Sequence, residues 1–322
     1  MIGVALTPHL APSKAWWPAG NVYAADFVQQ RFMNDGVHVP QSAAFTFTRA
    51  SNKLAQAISG EWKLFPPDTP AITGQGLFYE PEETFYPVNA LFEGALPGIL
   101  GSGGALPAGW TVLEASGLSI DVIETGLYGD VPYIRLRLFG TTDWTDVQIA
   151  LNATTQAAAT NETWTAALSL RHVAGATGGI IPYVRAVEET DGAFVAATTV
   201  ELPWSSDFTR ASATRLIQSG ATNNVRARFR LILPDTGIST DMTIDLHLPA
   251  LAKSASPGSP LLTDAAAPAT RGADVQTLSL PAGNRLLTVV HGQDEETTFT
   301  DSGGPFIMPT GLTGPIGMAF LA

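Results

Sequence analysis

The run Val225-Arg-Ala-Arg-Phe-Arg-Leu-Ile-Leu233 alternates apolar and basic side chains. Val225, Ala227, Phe229 and Leu231 share one parity, and Arg226, Arg228 and Arg230 share the other. Successive side chains of an extended chain point to opposite faces, so the segment reads as a strand with one apolar face and one arginine face. Three other runs repeat the pattern. Within Val131 to Phe139, Ile134, Leu136 and Leu138 oppose Tyr133, Arg135 and Arg137. Within Thr163 to Val173, Trp164, Ala166, Leu168 and Leu170 oppose Thr165, Ser169 and Arg171. Within Met242 to Leu248, Met242, Ile244, Leu246 and Leu248 oppose Thr243, Asp245 and His247. Further strand-length runs lie at Trp110 to Ala115, Leu118 to Glu124, Asp146 to Leu151, Ile180 to Val187, Phe194 to Glu201 and Ala213 to Gln218. Strands at this spacing predict an all-β sandwich or barrel between Leu106 and Leu251, not alternating βαβ units.

Composition agrees with that reading. The 322 residues are 45% hydrophobic and 14% charged, enough to bury a core. The 31 Gly and 23 Pro punctuate the chain too densely for long helices. A formal net charge of −12 argues against a nucleic-acid partner, whose phosphates it would repel. Cysteine is absent, which excludes disulfides, thiolate metal sites and cysteine nucleophiles. The first residues carry neither a basic n-region nor an apolar h-region, so no signal peptide is expected. No apolar run approaches the ~20 residues of a membrane span, so no membrane insertion is expected either.

This pattern divides the chain into three segments: 1–89, 90–262 and 263–322. The first reads as an irregular attachment region, interrupted by Pro8, Pro12 and Pro18. Its Val22 to Met33 stretch leaves helix and strand open. The adjacent Trp16 and Trp17 read as a plug into a neighbouring domain or subunit, or as a ligand platform. The second segment is the sandwich. The third is a small β appendix, in which Val275 to Leu280 and Arg285 to Val290 predict a hairpin about Pro281-Ala-Gly-Asn284. It ends in Ile316-Gly-Met-Ala-Phe-Leu321, a final strand or an oligomer contact.

Two sets of motifs carry a family resemblance. Ala25-Asp-Phe-Val28, Phe47-Thr-Arg-Ala-Ser-Asn52 and Gly76-Leu-Phe-Tyr-Glu80 are similar, in order and spacing, to a module of tailed-phage fibre and virion decoration proteins. Glu83-Thr-Phe-Tyr-Pro87 departs from that module, where a Thr-Asn-Leu segment is usual. Pro107-Ala-Gly-Trp110, Thr163-Trp-Thr-Ala-Ala-Leu-Ser-Leu-Arg171 and Ile244-Asp-Leu246 resemble the opening, middle and closing strands of jelly-roll carbohydrate-binding modules. Gly258-Ser-Pro-Leu-Leu-Thr263 and Thr270-Arg-Gly-Ala-Asp274 are similar to the segment on the C-terminal side of the jelly roll in phage versions, although Leu248-Pro-Ala-Leu-Ala252 lacks their Gln-Leu-Glu. The resemblance covers most of residues 25–275. It implies a jelly-roll β-sandwich in a fibre, spike or decoration component of a tailed phage or a phage-derived gene transfer agent. Such a protein would sit on the particle surface after assembly in the bacterial cytoplasm. Its partners would be host capsule or lipopolysaccharide, other virion structural proteins and copies of itself, as a homotrimer. No cofactor is required. Structural calcium is common in this class, and the resemblance points to Asp245 for it.

No catalytic constellation emerges. Gly-x-Ser-x-Gly is absent, and the five histidines lack metalloprotease spacing. Glu188 and Glu189 are adjacent, so on a strand they cannot flank one bond together. Asn152-Ala-Thr and Asn161-Glu-Thr match a glycosylation sequon that has no meaning in a bacterial or viral setting. The chain therefore reads as a non-enzyme, with a polysaccharide depolymerase and a ligand-free structural spacer as alternatives. The candidate glycan-binding residues are Tyr133, Arg135, Arg137, Tyr183, Arg185, Arg226, Arg228 and Arg230 on strands, and Trp144 and Trp204 in loops. A guanidinium fork suits carboxylates and vicinal hydroxyls, and tyrosines beside it suit an acidic glycan. The alternative for the arginines is cross-strand pairing with Asp121, Glu124 or Asp245, or a subunit interface. For Trp144 and Trp204 the alternative is anchoring of their loops in the core.

Overall fold

The alternating runs are strands in a computed structural model that describes residue 17 and residues 20–321, apart from 60, 153–154, 257, 284, 293–294, 302–303, 310–311 and 313. In chain order they are β1 (Thr111–Glu114), β2 (Leu118–Tyr128), β3 (Val131–Thr141), β4 (Asp146–Ala150), β5 (Thr163–Gly175), β6 (Ile181–Thr190), β7 (Ala193–Glu201), β8 (Thr209–Leu216), β9 (Asn224–Ile232) and β10 (Ser239–Ala252). They form two antiparallel sheets. The first has the order β2-β3-β10-β5-β8, extended beyond β2 by the short strand Gly98–Ile99. The second has the order β1-β4-β9-β6-β7. The chain passes repeatedly between the sheets, as the jelly-roll topology requires.

The apolar parities meet between the sheets. Ile134, Leu136, Leu138, Trp164, Leu168, Leu170, Ile244 and Leu246 of the first sheet share one buried cluster with Val147, Ile149, Val184, Phe229 and Leu231 of the second. Trp164 is fully buried there, 4.7 Å from the Tyr86 ring, and its indole N–H donates to Glu162 at 3.1 Å. Leu248 departs from the expected face. The β5–β10 register slips between Ala167 and Ser169, and Leu248 takes a left-handed φ of 47°. An extra residue in one strand reverses parity beyond it. Leu248 therefore joins Leu54, Trp62 and Val131 on the outer side, while Leu251 returns to the core. The outer side of the first sheet carries a second apolar cluster, in which Phe85 packs with Ala167, Ala250 and Ala252.

The chain divides into two interleaved units, not three consecutive segments. One comprises residues 48–73 and 80–274, and the other residues 1–47, 74–79 and 275–322. Charged residues in and beside three of the quoted motifs meet inside the first of these. Arg49 donates to Asp274 at 3.1 Å, and Lys53 bonds Asp274 and, at 2.8 Å, Glu80. Arg271 reaches Glu80 and Glu83, each at 3.2 Å. Arg49, Lys53, Arg271 and Asp274 are buried, so the ends of Phe47-Thr-Arg-Ala-Ser-Asn52, Gly76-Leu-Phe-Tyr-Glu80 and Thr270-Arg-Gly-Ala-Asp274 are tied into one ionic knot. Burial pushes the Glu80 carboxyl up, but Lys53 and Arg271 pull it down further, to about 2.

The other unit brings both chain ends into one sheet, with strands where the sequence left that alternative open. Its main sheet has the order Glu295–Asp301, Arg285–His291, Ile316–Leu321, Tyr23–Asp26, Arg31–Asn34, Val37–Val39. Residues of the expected irregular leader thus pair directly with the last strand, Tyr23 opposite Leu321. The expected hairpin does not form. Val275–Leu280 pairs with Gly304–Ile307, whereas Arg285–His291 pairs with Glu295–Asp301 and Ile316–Leu321 in a different sheet. The rings of Phe27, Phe32 and Phe45 pack at steep angles to one another in this unit. Trp17 lies 5.2 Å from His38, and Trp16 and Asn284 fall outside the described residues. No helix among the described residues is long and apolar enough to cross a membrane.

Candidate functional site

The candidate arginines do not form one face. β3 belongs to the first sheet and β9 to the second, so Arg135 and Arg137 lie on one outer surface of the sandwich and Arg226, Arg228 and Arg230 on the other.

On the first sheet the guanidinium groups are answered internally. Arg135 is bidentate to Asp245 at 2.7 and 3.1 Å and reaches Glu124 at 2.7 Å. Arg137 is bidentate to Asp241 at 2.8 and 2.7 Å. Arg171, one strand beyond β10, donates to Asp245 at 2.9 Å. Three arginines thus face three carboxylates. The Tyr133 hydroxyl donates to Glu124 at 2.8 Å, and its ring lies across Gly126, where an added Cβ would stand 2.8 Å from ring atoms. Tyr133, Arg135 and Arg137 are therefore held as cross-strand pairs. Asp245 is fully buried with both oxygens accepting from guanidinium groups, so it does not fit a calcium ion. No metal-holding group of three or more acidic or histidine side chains occurs among the described residues.

Sequence reasoning did not single out the ring cluster beside this network. The Arg171 guanidinium stands 4.6 Å from the Phe208 ring centre and 5.3 Å from that of Tyr128. Phe208 in turn lies 4.4 Å from His247. His247 is fully buried, and neither ring nitrogen has a hydrogen-bond partner. Burial, with Arg210 and Arg171 nearby, pushes its pKa down to about 3, so the ring is neutral. The outward parity of His247 was legible. Its burial depends on Phe208, which arrives from a loop.

The second sheet differs. Register places Tyr183 opposite Arg230, Arg185 opposite Arg228 and Thr199 opposite Arg185. Arg230 is bidentate to Asp146 at 2.8 and 3.0 Å. Arg228 bonds the buried Glu189, and Arg226 stands 3.5 Å from the same carboxylate. The Gln148 carbonyl accepts from Arg228 at 3.0 Å and Arg185 at 3.4 Å. Arg185 also donates to the Thr199 hydroxyl at 3.2 Å. Of the four guanidinium groups, three are paired with the two carboxylates and Arg185 bonds only uncharged groups among the described residues. Burial, followed by the charges of Arg230 and Arg228, pushes Arg185 down to about 10 against the opposing pull of Asp146. Gln148 and Thr199 were not singled out from sequence, because only the register brings them to the arginines.

The loop tryptophans separate. Trp204 is half-buried against the core, and its indole N–H donates to the Ile180 carbonyl at 2.8 Å, so it anchors its loop. Trp144 is 61% exposed, in the β3–β4 turn two residues before Asp146. Tyr183 is half-buried beside Arg185.

No protein-family model and no curated protein matches the chain. Solved structures do. An arabinose-bound MgGH51 α-L-arabinofuranosidase is 12% identical at a TM-score of 0.39, over 65% of this chain and 31% of that one. The CBM22-1 xylan-binding domain of Paenibacillus barcinonensis Xyn10C is 15% identical at 0.31, over 55% of this chain and 99% of that one. The enzymatically active domain of bacteriophage CBA120 tailspike protein 4 is 13% identical at 0.30, over 45% of this chain and 19% of that one. At such scores the fold assignment rests on the strand pairing itself, and nothing these proteins bind or cleave carries over.

Proposed function

We propose that the chain is an adhesin of a phage or phage-like particle that binds host surface polysaccharide without cleaving it. The observation that carries this reading is the outer face of the second sheet. Tyr183, Arg185, Gln148, Arg228 and Arg230 form a row of ring, amide and guanidinium groups there. The apolar clusters built by Leu54, Trp62 and Phe85 lie on the first sheet instead. Fixed donors on a rigid sheet suit ring hydroxyls, and a nearby aromatic ring suits a sugar face. The motif resemblance at Phe47-Thr-Arg-Ala-Ser-Asn52 and Gly76-Leu-Phe-Tyr-Glu80 supports the particle context, and that at Pro107-Ala-Gly-Trp110 supports carbohydrate binding. A depolymerase is the second reading. Glu188 bonds Arg215 and Thr222, Glu189 bonds Arg228, and Asp146 bonds Arg230, which favours binding over acid–base chemistry. A homotrimer would multiply weak single sites by avidity.

Incubation of the chain with purified capsule or lipopolysaccharide, followed by sizing of the sugar, tests the reading. Retention of the protein on polymer of unchanged length is expected. Shortened polymer supports the depolymerase, and the absence of both binding and shortening supports a structural spacer. Light scattering of the free protein should give three times the chain mass.

A further inference from the structure

We propose that Arg185 is the anion-reading residue of the second-sheet face, and that it takes the carboxylate of an acidic sugar. This rests on the polysaccharide-binding reading and names its substrate class. The first sheet closes its charges: Arg135, Arg137 and Arg171 meet Asp245, Asp241 and Glu124. The second does not. Asp146 holds Arg230, and Glu189 holds Arg228 and Arg226. No carboxylate bonds Arg185 directly among the described residues: the Asp146 charge acts on it from beyond bonding distance, and its bonded partners are a hydroxyl at 3.2 Å and an amide oxygen at 3.4 Å. It is only 7% exposed, so water does little to shield it from Arg228 and Arg230. The Nε atoms of Arg226 and Arg228 are buried there without a hydrogen-bond partner.

A guanidinium that bonds no carboxylate directly, set among other guanidinium groups, is stabilised by an incoming anion more than by a neutral hydroxyl. A planar carboxylate matches the fork in two parallel hydrogen bonds. The flanks suit the rest of a sugar. Tyr183 lies two residues away on the same face, and Phe194 is 57% exposed with its ring centre 5.7 Å from the Arg185 guanidinium. Glu201, across the register from Tyr183, is exposed and negatively charged. That charge disfavours anions at the Tyr183 end and leaves the Arg185–Arg228 end for them. On a chain of net charge −12, a cationic cluster of this kind selects its ligand locally, without help from long-range attraction.

Affinity electrophoresis of the full chain tests the inference in gels carrying polygalacturonate, polyglucuronate or polysialate. Parallel gels carry the same polymers with their carboxyls reduced to alcohols, and dextran sulfate. The expected result is retardation by at least one polycarboxylate that falls at least tenfold on carboxyl reduction and weakens as salt rises. Arg185→Gln should lower that retardation at least tenfold while the circular dichroism spectrum and melting temperature stay unchanged. Arg137→Gln, on the opposite sheet, should leave retardation within twofold. Equal retardation by native and reduced polymers overturns the carboxylate inference and leaves polysaccharide binding standing. Equal retardation by dextran sulfate, or equal loss in the Arg137 variant, overturns it in favour of unspecific ion exchange. No retardation by any polymer, native or reduced, overturns the adhesin reading as well. If Arg185→Gln melts early, Arg185→Lys keeps the charge without the fork, and unchanged binding by that variant overturns the bidentate assignment.

Discussion

The double substitution Arg226→Ala with Arg228→Ala separates a binding face from a structural network. If these arginines served only a ligand, their loss would leave the fold intact. The geometry says otherwise. Glu189 is fully buried, and its carboxylate has Arg228 as a hydrogen-bonded partner and Arg226 at 3.5 Å. Removing both leaves a buried carboxylate with no counter-charge, which costs about 3–5 kcal/mol. For a unit of roughly 150–250 residues, each kcal/mol lowers Tm by about 2–4 °C, so a fall of about 6–20 °C is expected. In urea, with an m-value of about 2–3 kcal/mol/M, the midpoint should fall by about 1–2.5 M. Adding Glu189→Gln removes the charge that was stranded, and should recover at least half of the loss. Urea melts followed by tryptophan fluorescence read both variants against the unmodified chain. A midpoint unchanged by the double substitution, or a loss that Glu189→Gln does not relieve, would show that Glu189 is not stabilised by these arginines.

Other buried groups carry their own expected outcomes. Asp274→Asn strips Arg49 and Lys53 of their shared carboxylate and should destabilise by about 3–5 kcal/mol in a chemical melt, with a loss below about 1 kcal/mol contradicting the ionic knot. Glu80 is held down to about 2, so its stabilising contribution is full above the ordinary carboxylate pKa and is lost as pH falls from about 4.5 towards 2; Glu80→Gln should flatten that limb of the stability–pH curve. His247 is held down to about 3 against an unfolded value near 6.5, so stability should fall as pH drops through that interval, and His247→Leu should remove the slope. Trp164→Ala should cost about 3–5 kcal/mol, because the ring is fully buried between the sheets, and an unchanged Tm would mean that the core face is misassigned.

Parity was the most legible feature of the sequence, because it is local. Alternation within Val131 to Phe139 and Val225 to Leu233 is enough to state which side chains face the space between the sheets, and Ile134, Leu136, Phe229 and Leu231 are all at 0% exposure. It failed at Leu248, where a register slip with a left-handed residue reversed the count. The sheet to which a strand belongs is not local. Arg137 and Arg228 look equivalent in sequence, yet they lie on opposite surfaces because β3 pairs with β10 and β9 pairs with β6. The pairing of the two chain ends was not legible for the same reason. Tyr23–Asp26 is too short to signal a strand, and its partner Ile316–Leu321 lies at the other end of the chain.

The site was partly legible, and the missing part decides its chemistry. Residue type named Arg185, Arg226, Arg228 and Arg230, and parity put them outward, but whether a guanidinium is paired depends on which carboxylates register delivers. Glu189 and Asp146 reach three of the four. Thr199 and Gln148 reach the other, and neither carries a charge. Arg135 and Arg137 are likewise paired, by Asp245 and Asp241 of β10. Register gives Arg230 an aspartate and Arg185 a threonine, and that difference in bonded partner, invisible in the alternation of the strands, separates the two arginines chemically.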